Sequence, residues 1–165
     1  MRPVTVVVMG VSGAGKTTVG RLLAARLDCE FLDADDFHPP RNVAKMARGI
    51  ALADGDRWPW LARLNALLRD REAHGASVVL ACSALKQSYR LRLADGLARC
   101  RLVYLHGEVS VLRTRLGSRA HRYMPASLLD SQLATLEPPT QAIAVDVSEP
   151  PEQCVATIVS ALTRS

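Results

Sequence analysis

The 165 residues are 48% hydrophobic and 22% charged, the balance of one soluble globular domain with a sizeable core, which excludes a disordered tail or a multidomain machine. With 21 basic and 16 acidic residues the formal charge is +5, which attracts anions such as phosphorylated small molecules but is too mild to require a nucleic-acid partner. The four cysteines, Cys29, Cys82, Cys100 and Cys154, form no CxxC pair and read as buried thiols in a reducing cytoplasm. The apolar start Val4–Met9 breaks at Gly10, too soon for a signal-peptide core, and no later run approaches the ~20 residues of a membrane span.

Short apolar runs alternate with segments of helical period, the mark of a parallel sheet flanked by helices. Val4–Met9 predicts the first strand, and Lys16–Leu27 a helix with Val19, Leu22, Leu23 and Leu27 on one face. Glu30–Asp33 predicts the second strand, and Asn42–Gly49 a short helix closed by Gly49. Trp60, Leu61, Leu64, Leu67 and Leu68 form a helical stripe that Pro59 opens as a first-turn residue, with Asp56 near the cap. Val78–Cys82 is continuously apolar, as a central strand covered on both faces should be. Arg101–Leu105 and Ala142–Val147 bring the strands to five, and further helices are expected over Leu85–Leu97, Val109–Leu116, Ser127–Leu136 and Glu152–Leu162. With no repeat or linker, residues 1–165 read as one domain.

Gly10-Val11-Ser12-Gly13-Ala14-Gly15-Lys16-Thr17 matches G-x-x-x-x-G-K-[ST] after a strand and at the start of a helix, where a phosphate loop belongs. In that role backbone N–H groups surround the phosphates, Lys16 reaches the β- and γ-phosphates and the Thr17 hydroxyl ligates Mg²⁺. Thr18 reads as a helix-start or phosphate-adjacent residue. A bare glycine-rich turn is the competing reading, and the flanking elements disfavour it. No acid ends the Val78–Cys82 strand, as it would in a motor ATPase, and no N-K-x-D motif occurs. The acids stand instead at Asp33, Asp35 and Asp36, where alternate residues 33 and 35 can face one cleft. One can hold Mg²⁺ through water while the other accepts a proton from a substrate hydroxyl, as phosphate transfer to an alcohol requires. The plainer alternative is that these aspartates cap the next helix, most of all Asp36.

Downstream, His38, Arg41, Asn42, Lys45, Arg48, Asp54, Asp56 and Arg57 crowd polar groups into a candidate rim over about 36–60. Arg57 suits a forked pair with a carboxylate, and His38 and Asp54 suit hydroxyls, although each alone equally suits a solvated surface. Met46 and Trp60 read as core, while Trp58 can stack on substrate or cover the core edge. Ser83 and Lys86, with Tyr89 and Arg90, follow the central strand at the edge where open α/β sheets bind ligands. No G-x-S-x-G surrounds Ser83, which argues against a nucleophile, and Cys82 reads as a small buried residue. Arg113, Arg115, Arg119, His121 and Arg122 lie in a segment of about 113–137 read as a lid over ATP, with a solvated face the alternative for Arg113.

The chain resembles the gluconate kinases, small phosphate-loop carbohydrate kinases related in fold to shikimate and adenylate kinases. Beside the phosphate loop, the blocks that carry the resemblance are His38-Pro39 with Asn42, Asp56-Arg57 with Pro59-Trp60-Leu61, Cys82-Ser83-Ala84-Leu85-Lys86, and Leu128-Leu129 with Ser131-Gln132. Ala34, Ala51, Leu91 and Arg122 depart from the family pattern, and His121 or Arg122 takes its lid-histidine position. The resemblance implies a three-layer α/β/α nucleoside-monophosphate-kinase-like fold with a five-stranded parallel sheet and a helical lid. It also implies Mg²⁺-dependent phosphorylation of D-gluconate by ATP at the 6-hydroxyl, in a cytoplasmic homodimer that binds neither nucleic acid nor membrane. Under it Asp35 is the base, Lys16 with Arg115 and Arg119 steadies the phosphoryl group, and Thr17 and Asp33 serve Mg²⁺, Asp33 through water. ATP falls to Gly10, Ser12, Gly13, Ala14, Gly15, Lys16, Thr17, Thr18, Arg115 and Asp146, with adenine between the lid-helix arginines and the segment around Asp146–Ser148. The sugar acid falls to Asp35, His38, Lys45, Asp54, Arg57, Ser83, Lys86, Arg90, Arg122 and Gln132. A kinase of another hydroxy acid such as shikimate is the nearest rival reading, and a non-catalytic ATP sensor is the rival of another class.

Overall fold

The computed structural model describes residues 2–117 and 129–164. β1 (Thr5–Met9) is buried at every position, so both its faces have to be covered. It occupies the middle of a wholly parallel sheet with β2 (Glu30–Asp33), β3 (Val78–Ala81), β4 (Cys100–His106) and β5 (Ile143–Asp146), in the order β2-β3-β1-β4-β5. The strand expected at the centre, β3, is interior, but the middle place belongs to β1. Register sets Asp33 opposite Ala81, Ala81 opposite Val8, and Met9 opposite Tyr104. The carboxyl ends of these strands therefore meet along one edge, where open parallel sheets take their ligands.

Strand alternation sorts the apolar side chains into two cores. Val6 and Val8, with Val79, Val103 and Val145, pack with α1 (Lys16–Leu27) and α7 (Pro151–Thr163). Val7 and Met9, with Val78 and Leu80, pack with α3 (Asp54–Ala73) and α4 (Gln87–Ala94). Each such fully buried side chain contributes about 1.5–3 kcal/mol. The three-layer α/β/α architecture is the one expected, and α2 (Pro40–Ala47), α5 (Val109–Gly117) and α6 (Leu129–Thr135) complete it. Among the described residues no helix is long and apolar enough to cross a membrane. All four cysteines are free, Cys82 and Cys154 buried but Cys29 and Cys100 only half-buried, so the expectation of buried thiols holds for two of them.

Several elements differ in detail from the expected ones. On α1 the buried face is Val19, Gly20, Leu23 and Ala24, and Leu22 is 36% exposed. The helix turns its Gly20 side inward because Phe31 of β2 packs there, so closely that a Cβ on Gly20 would come within 2.6 Å of the ring. α3 begins at Asp54, well before Pro59. Asp56 caps it from the first turn by accepting the Ala53 N–H at 2.9 Å. Pro59 is exposed, so the Gly55 carbonyl that loses its helical donor there is left to water. α4 is shorter than predicted because Ala84 adopts a left-handed φ of 46° before it and Gly96 a φ of 75° after it. Gly49, with φ 73°, closes α2 as expected, and the Ile50 N–H returns to the Lys45 carbonyl at 2.9 Å.

Candidate active site

The loop from β1 to α1 is shaped by glycines of positive φ, among them Gly13 and Gly15. Gly13 has a φ of 86°, and a Cβ on it would lie 2.7 Å from the Leu112 carbonyl oxygen of α5. Gly15, with φ 90°, is the N-cap of α1 and caps nothing with a side chain. The first N–H groups of α1 thus lack helical acceptors and face the loop's mouth beside Thr17 and Thr18. Lys16 folds over the loop and donates to the Val11 carbonyl at 3.2 Å. Burial lowers its pKa, against the opposing charges of Asp35 and Asp33. An ammonium desolvated between two carboxylates is poised for an anion of higher charge.

Asp33 is the residue that joins this loop to the next strand. Its Oδ2 accepts the Thr17 hydroxyl at 3.4 Å, and its Oδ1 accepts the Asp35 N–H at 3.0 Å, capping the 3-10 turn Ala34–Phe37. The capping considered for Asp36 therefore belongs to Asp33. Asp35 is turned out at the edge, with a half-exposed side chain whose Oδ1 lies 3.8 Å from His38 Nε2. His38 stacks on Trp60 at 4.1 Å between ring centroids, and Trp60 is pinned by donating its Nε1–H to the Ala34 carbonyl at 2.7 Å. Asn42 Nδ2 donates both to the Asp56 carbonyl at 2.9 Å and to His38 Nδ1 at 3.2 Å. That assigns the acceptor role to Nδ1 and the ring proton to Nε2, on the side of Asp35.

Burial, aided by the Arg57 charge and opposed by Asp33, pushes the His38 pKa down to about 4 from 6.5. The unfolded chain therefore takes up a proton that the folded chain refuses. His38 stabilises the fold fully above about pH 6.5, and this contribution, at most about 3 kcal/mol, is lost as pH falls toward 4. Urea unfolding at pH 7 and pH 4.5 should show less acid sensitivity in His38→Phe, which keeps the stack on Trp60, than in the parent. Equal sensitivity would contradict the assignment.

Across the cleft, three predicted residues gather around one that carried no assigned role, Tyr89. Its hydroxyl donates to Asp54 Oδ1, its ring lies 5.1 Å from the Arg57 guanidinium, and Arg57 Nη1 reaches its oxygen at 3.3 Å. Lys86 pairs with Asp54 at 3.1 Å. The Tyr89 hydrogen bond first, then Lys86, holds the Asp54 carboxyl below its usual range, and Asp54 in turn raises Lys86. Arg57 also donates to the Leu52 carbonyl. Trp58 covers this corner with an edge contact to Tyr89 at 5.7 Å. Lys45 pairs with Asp56 at 2.9 Å, at the foot of α3. Arg90 donates to the carbonyls of Ala84 at 2.7 Å, Leu85 at 3.1 Å and Glu137 at 2.8 Å, and so clamps the turn that presents Ser83 and Lys86. Met46 is buried as expected, and so is Cys82, whose thiol burial pushes up to about 12.

On the far side of the phosphate loop Arg115 donates to the Val147 carbonyl, and Asp146 accepts the Ser148 N–H at 2.8 Å. The two places expected to flank adenine are thereby brought together. Arg113 is exposed and pairs with Asp130 across α5 and α6. Gln132 is turned to the phosphate loop, where its Oε1 accepts the Ser12 N–H at 2.7 Å. Arg119 and Arg122, with His121, lie outside the described residues. The roles of Tyr89 and Asn42 escaped sequence reasoning; the signal for Tyr89 was its position one turn beyond Lys86.

A family model described as an AAA domain matches residues 6–139. A gluconokinase of Gluconobacter oxydans is 49% identical over 139 residues, covering 84% of this chain and 78% of that one. The solved structure of a gluconokinase from Sinorhizobium meliloti superposes with a TM-score of 0.88 at 44% identity, over 98% of this chain and 93% of that one. That of a sugar kinase from Janibacter sp. HTCC2649 does so with a TM-score of 0.91 at 44% identity, over 98% and 95%. Likeness of this degree extends over nearly the whole chain, and the chain belongs to the gluconokinase family.

Proposed function

We propose that this protein is a gluconokinase, which transfers the γ-phosphoryl group of ATP to the 6-hydroxyl of D-gluconate and releases 6-phospho-D-gluconate and ADP. The reaction serves gluconate catabolism feeding the pentose phosphate pathway. The observation that carries the reading is a cleft that reaches the phosphate loop: Gln132, whose Oε1 accepts the Ser12 N–H at 2.7 Å, lines it together with Arg57. An acceptor with a hydroxyl at one end and a carboxylate at the other spans such a cleft. Arg57 takes the carboxylate in a forked pair, and Asp54, Lys45, Lys86, Ser83 and His38 bond the intervening hydroxyls. Asp35 accepts the proton of the 6-hydroxyl as its oxygen bonds to the γ-phosphorus. The bond from that phosphorus to the β–γ bridging oxygen breaks, and its electron pair leaves with ADP. Lys16 keeps one N–H on the Val11 carbonyl and turns its other two to the β- and γ-phosphates, and Arg115 and Arg119 add positive charge from the lid segment of about 113–137.

Among the described residues no group of three or more His, Cys, Asp or Glu side chains is placed to hold a metal by itself. The Thr17 hydroxyl and the Asp33 carboxylate, which meet at 3.4 Å, form the sparse oxygen set that suits Mg²⁺, an ion that keeps several waters and binds phosphate oxygens. Bound there, Mg²⁺ would neutralise charge on the β- and γ-phosphates. The reading takes the enzyme as a cytoplasmic homodimer with a small-molecule substrate and no nucleic-acid partner.

Incubation with Mg-ATP and uniformly ¹³C-labelled gluconate should give one product in which the terminal methylene carbon, C6, bears the phosphate. Phosphorylation elsewhere, or no product, overturns the proposal. Arg57→Ala should raise the KM for gluconate about 10- to 100-fold, the worth of a charge-assisted pair, and leave the KM for ATP nearly unchanged. Arg57→Lys should restore only part of the loss. An effect confined to ATP would remove Arg57 from the acceptor side.

A further inference from the structure

Two adjacent residues of the phosphate loop are held from outside it. Gly13 abuts the Leu112 carbonyl of α5, and Ser12 donates its buried N–H to Gln132 Oε1 on α6 at 2.7 Å. Gln132 is 7% exposed, and it lines a cleft with Arg57, Met46, Leu52 and Leu85. One side chain thus touches the phosphate loop and borders the cleft assigned to the acceptor.

The Ser12 N–H and the Val11 carbonyl belong to one planar trans peptide, so they point in opposite directions and turn together. The Val11 carbonyl is the group that holds Lys16 Nζ at 3.2 Å, and it also accepts the Ala14 N–H at 3.2 Å. Whatever fixes the Ser12 N–H therefore fixes the anchor of the lysine. We propose that Gln132 is a positioning residue, which sets Lys16 through the Val11–Ser12 peptide plane and ties that setting to the acceptor cleft. Its loss lets the plane rotate, misplaces the lysine, and lowers transfer more than it lowers the binding of either substrate. The inference rests on the kinase reading given above.

The test uses the full chain with Gln132→Met, which keeps the side-chain length but removes the oxygen acceptor, and Gln132→Glu, which keeps an acceptor. Steady-state kinetics with Mg-ATP and gluconate are combined with hydrogen exchange of the Ser12 amide followed by NMR. In Gln132→Met, kcat should fall about 10- to 100-fold, the scale of an ångström of misplacement, with Ser12 exchange accelerated by a similar factor. Both KM values should stay within about threefold of the parent. Gln132→Glu should restore Ser12 protection and most of the turnover at saturating ATP. Unchanged kcat or unchanged Ser12 exchange in Gln132→Met overturns the proposal. So does a loss confined to the KM for gluconate, which would make Gln132 a direct ligand of the sugar acid. Should Gln132→Met not fold, a folded Gln132→Glu that protects Ser12 but has lost turnover overturns it equally. Failure of the unsubstituted protein to phosphorylate gluconate removes the kinase reading instead, whereas normal parent turnover with an unaffected Gln132→Met removes this inference alone.

Discussion

Asp35→Asn is expected to lower gluconate-dependent turnover about 10²- to 10⁴-fold, the usual contribution of a general base. Asparagine matches the aspartate in size and keeps a carbonyl at the strand end, but it cannot accept the proton of an attacking hydroxyl. The cap of the 3-10 turn survives the change, because the Asp35 N–H that Asp33 accepts is retained in the variant. ATP affinity should therefore change by no more than about threefold, so that the effect falls on kcat. The proton on His38 Nε2 faces the same carboxylate at 3.8 Å, and the stack on Trp60 fixes the ring that carries it. Turnover with gluconate compared with ATP binding by calorimetry separates the two effects, and unchanged turnover would remove Asp35 as the base.

Lys16→Met is the second large effect, with turnover reduced about 10²- to 10³-fold or more, as when a preorganised charge is withdrawn from a transition state. Its signature is a split between function and stability. Burial already works against the Lys16 ammonium in the absence of nucleotide, and among the described residues its hydrogen bond goes to the Val11 carbonyl. Methionine fills the same space without that desolvation cost, so the ligand-free variant should melt at the parent temperature or above it. The stabilisation that Mg-ATP confers on the parent, about 2.7 kcal/mol at 100 times Kd, should largely vanish. Thermal unfolding with and without Mg-ATP measures both. A variant destabilised on its own but still stabilised by nucleotide would show that Lys16 serves the fold rather than the phosphates.

What was legible in advance was local. The stretch from β1 through α1 to β2 has nearly the expected limits, because strand, glycine loop and helix each carry their own signals within a few residues. Asp33 and Asp35 were readable as a pair because they end a strand and skip one position. Pro59 is a strong helix-opening signal, yet α3 starts five residues before it, where Asp56 accepts the Ala53 N–H. The Tyr89 corner was only half readable, since its hydrogen bond to Asp54 spans 35 residues and joins α3 to α4. Gln132 was expected on the sugar acid, yet it holds the Ser12 N–H across 120 residues, and no periodicity or motif encodes a bond between a side chain and a distant peptide plane.

ADP release from Mg-ATP by the purified protein, with D-gluconate compared against shikimate, glucose, other aldonates and no acceptor, tests the central claim most directly. The account predicts rapid release that depends on gluconate and falls to a small residue when no acceptor is present. Release with another acid but not with gluconate would keep the phosphoryl-transfer chemistry and discard the substrate. Absence of release with every acceptor, in a protein that still binds ATP, would contradict the account and leave a nucleotide sensor in its place.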